Sequence, residues 1–397
     1  MPIIHPLEDP DSVRWFLPPS KSHMIRWIAL ASQSDSMTSL VFQGSPGRDI
    51  ESMASCMEKM GVLIERENQR WKIFGSRNGL VLPKSTLDCG NSGTTANFIS
   101  AIAACLDGPV EIDGDRTLRN RDLSPMSSCL RELGCDVSSD SLPYTVSGPI
   151  NKDFSSIDES LSSQTLSGMI VASPGFPIEV KISLNGEAVS RWYRDLTIET
   201  SSLSGWTGDC CDVVFLSAWP VSTPEIIEIP GEESLLPVSL LFDKLHGTES
   251  LDYSKFEDTL VAETIDKAIS SPHEKISLRD TSDLISPLAA LMAISSGGEI
   301  VDAKHVRGKE SNRIISTIRM LSSFGIEVEE RKDGLSISGG QYPRAPSETV
   351  FCEDDHRLAM TALVLATKVG AELSGHEICD VSHPGFFEMI MSKSVGA

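Results

Sequence analysis

One pattern, repeated three times, limits what this chain can fold into. A helix-periodic run ends in Gly, two short alternating strands follow, and a second Gly closes the unit. The copies run from Met53 through Gly61 to Gly75, from Met126 through Gly134 to Gly148, and from Ile318 through Gly325 to Gly339. The two glycines lie 14 residues apart each time. Gly at a helix end takes the left-handed conformation that other residues resist. The alternation in Trp71-Lys72-Ile73-Phe74 and its counterparts reads as one strand of a half-exposed hairpin. Two copies fall in the first half of the chain and one in the second, so the expectation is a repeated α/β unit shared between two similar domains.

A chain of 397 residues suits two domains. The stretch Pro220 to Gly231, rich in Pro and turn residues, is a natural boundary. The hydrophobic fraction of 40% and charged fraction of 23% are those of a soluble globular protein, and no run approaches the ~20 apolar residues of a membrane span. The first residues, Met1-Pro2-Ile3-Ile4-His5-Pro6, lack the basic region and apolar core of a signal peptide. Nine cysteines without a CxxC pair argue for reduced thiols in a cytoplasmic protein and against a disulfide framework or zinc site. A formal charge of −22 argues against nucleic acid or a membrane surface as partner. If the ligands are anions, positive charge has to be concentrated locally against the average field.

Polar clusters stand before apolar helices throughout. Pro18-Pro19-Ser20-Lys21-Ser22-His23-Met24-Ile25-Arg26 runs into a helix for which Ser22 is the expected N-cap, with Lys21 and Arg26 beside its positive end. Asp88-Cys89-Gly90-Asn91-Ser92-Gly93-Thr94 leads into Ala96–Leu106, with small residues that let an oxyanion approach the backbone. Arg116, Arg119 and Arg121 form either a solvated turn or a clamp on phosphate or carboxylate. Ser162-Ser163-Gln164 opens another apolar helix, as does Asp280-Thr281-Ser282-Asp283. Glu310 and Arg313, three apart, share a helix face. Asp354-Asp355-His356-Arg357-Leu358-Ala359-Met360 leads into Ala362–Ala366. Singly, each reads equally well as a salt-bridged surface patch. Together, in a repeat fold, they point to a site for small anions.

Ser20-Lys21-Ser22 with Arg26, Gly90-Asn91-Ser92-Gly93-Thr94, Lys309-Glu310-Ser311-Asn312-Arg313 and Asp355-His356-Arg357-Leu358-Ala359-Met360, in this order, resemble the enolpyruvyl transferases, over nearly the whole chain. The resemblance implies an α/β fold of two similar domains, each of three βαβαββ repeats with inward-facing helices, an inside-out α/β barrel. It implies a first domain over 15–225 and a second over 1–14 with 226–397, with the active site in the cleft between them. The activity implied is transfer of the enolpyruvyl group of phosphoenolpyruvate (PEP) to shikimate 3-phosphate, by a cytoplasmic monomer without metal or cofactor.

The implied roles are specific. Ser22, Arg26, Ser162, Ser163, Ser190 and Tyr193 would hold shikimate 3-phosphate, with Lys21, Gln164, Asp283 and Lys309 also reaching it. Lys21, Gly93, Arg121 and Gln164 would receive the phosphate of PEP, and Arg313 with Arg357 its carboxylate. Lys21, Asp283, Glu310 and His356 would be catalytic. The chemistry suits those residue types, because the PEP methylene must gain a proton and the resulting methyl must lose one. Glu310 is the candidate for the carbon proton and Asp283 for the hydroxyl proton. Asn97, Asp122, Asn312 and Val381 depart from residues usual in the family, and the segment Gly231–Leu236 is bulkier. These departures thin the positive charge expected around PEP.

Overall fold

The computed structural model describes residues 2–76, 79–256, 259–271 and 274–391. The chain separates into two compact units, one of Pro19–Pro230 and one of the residues up to Pro18 together with those from Gly231 onward. Each has its own apolar core. The first strand, β1 (Ile3–Ile4), belongs to the second of these units.

The Pro19–Pro230 unit opens with α1 (Lys21–Ser32), β2 (Met37–Val41), α2 (Arg48–Lys59), β3 (Leu63–Glu67) and β4 (Arg70–Phe74). Next come β5 (Leu87–Asp88), α3 (Gly93–Ala103), β6 (Pro109–Asp113), the short α4 (Arg116–Arg119), α5 (Ser124–Glu132), β7 (Asp136–Val137) and β8 (Tyr144–Ser147). A third set has β9 (Phe154–Asp158), α6 (Gln164–Ala172), β10 (Val180–Asn185), α7 (Arg191–Leu203) and β11 (Val213–Leu216), and β12 (Ile226–Glu228) ends the unit. The sheets are ordered β12-β2-β4-β3, β5-β6-β8-β7 and β11-β10-β9. Strands β12 and β2, β5 and β6, and β9 and β10 pair in parallel. The first repeat thus takes its opening strand from the far end of its own unit.

The other unit contains α8 (Leu236–His246), α9 (Leu260–Ser270), β13 (Lys275–Ser277), α10 (Ile285–Ile294), β14 (Gly297–Val301), α11 (Arg313–Ser323), β15 (Val328–Arg331) and β16 (Gly334–Ser338). It continues with β17 (Val350–Phe351), α12 (His356–Val369), β18 (Ala371–Ser374) and α13 (Phe386–Met391). Its sheets are β13-β14-β16-β15 and β1-β18-β17, with β13 parallel to β14 and β17 to β18. The expected βαβαββ order is therefore complete in three segments and one strand short in two. From Leu236 to Ser270 the described residues form helices without a sheet. There the apolar spacing of Leu251, Tyr253 and Phe256 shifts from two to three, and Tyr253–Phe256 winds as a 3-10 turn instead of extending.

One helix in most repeats is buried on nearly every side and occupies the middle of its unit. Helices α1, α3 and α6 touch one another in one unit, and α8, α10 and α12 in the other. Every residue of α12 from His356 to Thr367 is buried. The predominantly apolar surfaces of these helices have to be enclosed, and the sheets enclose them. Their strands alternate, as in Phe154–Asp158, so one face covers helices and the other meets solvent.

The paired glycines have two different causes. Gly61, Gly134 and Gly325, just past α2, α5 and α11, have φ of +95°, +89° and +71°. At the second position the constraint is space. A Cβ on Gly75 would stand 1.9 Å from the Ser34 carbonyl oxygen, on Gly148 2.5 Å from that of Ala104, and on Gly339 2.3 Å from the Ser296 carbonyl carbon. These carbonyls follow α1, α3 and α10, so each hairpin ends against the backbone leaving a buried helix.

Candidate active site

The candidate residues begin where the parallel strands stop. Gly93 follows β5, Arg121 follows β6, Ser162–Gln164 follow β9, and Ser190 and Tyr193 follow β10. In the other unit, Asp283 follows β13, Lys309 and Glu310 follow β14, and His356 and Arg357 follow β17. Chain leaving the carboxyl ends of parallel strands turns into helix starts, whose unpaired N–H groups and dipole favour anions.

In the Pro19–Pro230 unit, α1 starts two residues earlier than Ser22 would allow as its cap. Ser20 is the N-cap, and Ser22 lies buried in the first turn. Pro18 and Pro19 keep the backbone extended up to Ser20, and the Ser20 hydroxyl lies 3.0 Å from His23 Nδ1. Lys21 Nζ is 3.0 Å from the buried Asp49 carboxylate. Arg26 is fully enclosed. It donates from Nε to Thr197 Oγ1 (2.8 Å), from Nη1 to the Ser22 carbonyl (2.8 Å) and from Nη2 to the Tyr193 carbonyl (2.7 Å). The Phe98 ring lies 5.5 Å beneath the guanidinium. Burial lowers its pKa to about 10, which leaves it a cation at neutral pH with no carboxylate among these partners.

Gly93, Arg121 and Gln164 meet. A Cβ on Gly93 would lie 3.2 Å from Arg121 Nη1 and 3.5 Å from Gln164 Oε1. Arg121 Nη2 donates to Asn91 Oδ1 at 2.9 Å. Gln164 Nε2 donates to Thr94 Oγ1 (3.1 Å), and Asn97 Nδ2 donates to Gln164 Oε1 (3.1 Å) and to the Gly93 carbonyl (2.8 Å). Ser162 Oγ accepts from the Gln164 N–H at 3.1 Å, and Ser163 is buried. Ser190, the N-cap of α7, is buried in the left-handed region at φ +55°, a conformation that persists only where neighbours enforce it. Of the three clustered arginines, Arg119 is taken up by Asp113 at 2.8 and 2.5 Å.

In the unit from Gly231 onward, three carboxylates surround the buried Arg313. Its Nε donates to Asp355 (2.8 Å), Nη1 to Asp283 (2.7 Å) and Nη2 to Glu310 (2.6 Å). Burial alone would lower its pKa, but Asp355, Glu310 and Asp283 raise it well above the ordinary value. Asp355 also caps α12 through the Arg357 N–H at 2.9 Å and accepts from Ser311 Oγ at 3.0 Å. Arg357, also buried, donates to the Ser234 carbonyl (3.0 Å) and Ser234 Oγ (2.6 Å), and lies 4.0 Å from Asp283. Its buried Nε has no hydrogen-bond partner among the described residues. His356 is buried at the start of α12, and Lys309 follows the 3-10 turn Lys304–Gly308. On that turn, burial and Lys309 push His305 down to about 4. This cluster can hold a carboxylate or phosphate on Arg357 while two carboxylates stand on separate edges of Arg313.

The EPSP synthase family, 3-phosphoshikimate 1-carboxyvinyltransferase, matches residues 14–202 and 253–390. The chain belongs to this family. A protein named 3-phosphoshikimate 1-carboxyvinyltransferase from Methanothrix thermoacetophila is 31% identical over 400 residues, covering 94% of this chain and 93% of that one. One of the same name from Halobacterium salinarum is 29% identical, covering 94% of each. Among solved structures, EPSP synthase from Acinetobacter baumannii superposes with a TM-score of 0.74 at 20% identity, covering 98% of this chain and 96% of that one. The fold is therefore the two-domain inside-out α/β arrangement expected from the sequence. No helix among the described residues is long and apolar enough to cross a membrane.

The departures from family usage have local structural uses. Asn97 orients Gln164, Asp122 accepts from the Ser124 N–H (2.9 Å) at the start of α5, and Asn312 caps α11 through Ile315 (3.4 Å). Val381 is buried in core. The segment Gly231–Leu236 supplies Ser234 to Arg357. Sequence reasoning did not single out Asp49 or Ser234 as partners of the site, since no spacing links them to Lys21 or Arg357. Asp355 stood inside a quoted motif, and its place before an apolar helix was the available signal for its capping role.

Proposed function

We propose that this chain transfers the enolpyruvyl group of PEP to the 5-hydroxyl of shikimate 3-phosphate and releases phosphate, as a cytoplasmic monomer without cofactor. The observation that carries the reading is the pair of carboxylates, Asp283 and Glu310, on separate edges of the buried Arg313. Two such groups match a reaction that moves two protons.

The acceptor hydroxyl gives its proton to Asp283 as its oxygen bonds to C2 of PEP. Glu310 in its acid form gives a proton to the C3 methylene, and the product of this step is a tetrahedral adduct with a methyl group. Glu310 then takes a proton back from that methyl. The C2–C3 double bond reforms, and the C2–O bond breaks with its electron pair leaving on phosphate. Fixed charges aimed at the developing charge lower both barriers. Arg357 and Arg313 hold the PEP carboxylate. Lys21, Gly93, Arg121 and Gln164 take its phosphate, with Lys21 stabilising the leaving group and His356 next to the reacting atoms. Arg26, Ser22, Ser162, Ser163, Ser190, Tyr193 and Lys309 hold shikimate 3-phosphate, the enclosed charge of Arg26 offsetting a molecule whose net charge repels anions.

Phosphate release on mixing the protein with PEP and shikimate 3-phosphate tests this. Release should require both compounds. None with both present, or equal release from PEP alone, would overturn it.

A further inference from the structure

Strands β9 and β10 lie side by side in parallel, Leu184 opposite Ile157 and Asn185 opposite Asp158. The loops that leave them, 159–163 and 186–190, therefore start as neighbours. The first leads to Ser162, Ser163 and Gln164, and the second to Ser190 and Tyr193. Glu159 joins them at three places. Its N–H donates to the Asn185 carbonyl (2.9 Å) and its carbonyl accepts from the Val189 N–H (3.1 Å). Its carboxylate receives Arg194 Nη1 at 3.0 Å on Oε1 and 3.3 Å on Oε2. The approach is close: at Gly186, with φ +76°, a Cβ would lie 2.3 Å from Asp158 Oδ1.

Arg194 sits one turn into α7, after the left-handed Ser190 and next to Tyr193, whose carbonyl receives Arg26. Both partners are largely buried, the side chains 19% and 8% exposed, so the pair is shielded from solvent. Arg194 Nε also lies 3.3 Å from Asp195 Oδ1. The proton transfers proposed above use neither Glu159 nor Arg194.

We infer that the Glu159–Arg194 pair positions the shikimate 3-phosphate subsite, by locking the start of α7 against the loop that ends in Ser162-Ser163-Gln164. The inference rests on the function proposed above. Without the pair, Ser190 is released from its enforced conformation, and Tyr193 shifts relative to Ser162 and Ser163. The acceptor then loses its fixed frame, while the groups assigned to PEP and to proton transfer stay in place.

The test uses Arg194→Met, Glu159→Gln and Arg194→Lys, read by calorimetric binding of shikimate 3-phosphate, by KM for each substrate, and by melting. Arg194→Met and Glu159→Gln should each raise Kd and KM for shikimate 3-phosphate about tenfold, with kcat and KM for PEP within about twofold. Arg194→Lys, which keeps a cation on Glu159, should recover part of that loss and fold even if the other two do not. Unchanged Kd in Arg194→Met and Glu159→Gln, or an equal rise in KM for PEP, would overturn the positioning role. No binding of shikimate 3-phosphate by the unaltered protein would instead overturn the function on which it rests.

Discussion

Two enclosed guanidinium groups, Arg26 and Arg313, have opposite surroundings. Arg26 bonds a hydroxyl and two carbonyls, so none of these partners neutralises its charge. Arg313 bonds three carboxylates, which gathers Asp283, Glu310 and Asp355 around one side chain. This contrast argues for changing Glu310 and Asp283 with side chains of equal size. Glu310→Gln and Asp283→Asn should each lower kcat by ~10²-fold or more while the protein still melts cooperatively. Phosphate-release kinetics checks this, and near-normal rates in both variants would remove the proton-transfer roles. The closeness of Glu310 and Arg313 was legible from their spacing, but the helix face expected to join them was not found, because α11 begins at Arg313 and Glu310 stands before its cap Asn312. The hold of Ser234 on Arg357 was not legible, because those residues lie far apart in sequence and meet only through the packing of the Gly231 segment against α12.

The recurring α-Gly-hairpin element was legible from spacing, but only half of its physics was. The first glycine of each pair follows from helix termination, which sequence reasoning can supply. The second answers to a carbonyl in a different part of the repeat, which becomes visible only once the hairpin is seen against the end of the buried helix. Gly148→Ala should therefore cost about 1–3 kcal/mol, since a new methyl must displace backbone. Gly308→Ala, where nothing lies within 4 Å, should stay within about 0.5 kcal/mol. Urea unfolding of both measures the difference, and equal midpoints would contradict the close-approach explanation. That the described residues between Leu236 and Ser270 form no sheet was not legible, because a strand and a 3-10 turn differ there by one step in the spacing of three apolar residues.

At the scale of the molecule the two units differ in how acid reaches them. His246 and His305, both in the unit from Gly231 onward, are held down to about 4, chiefly by burial. Burial lowers His383 in the same unit too. The Pro19–Pro230 unit contains a single histidine, His23. A buried neutral histidine stabilises the folded state fully above its unfolded pKa of about 6.5. Below that the unfolded chain takes up the proton first, so the contribution is lost as pH falls from about 6.5 to about 4. Melts of His246→Gln should lose less stability across this window than the unaltered protein, and parallel curves would contradict the burial of a neutral ring.

The central claim is that carbon gains a proton and then gives one up. Carrying out the reaction in D2O and examining the enolpyruvyl product by proton NMR tests it most directly. A methyl formed from the methylene and one solvent-derived deuteron loses one of its three hydrogens, so the product vinyl group should contain deuterium. A product vinyl group with only protium would contradict the account.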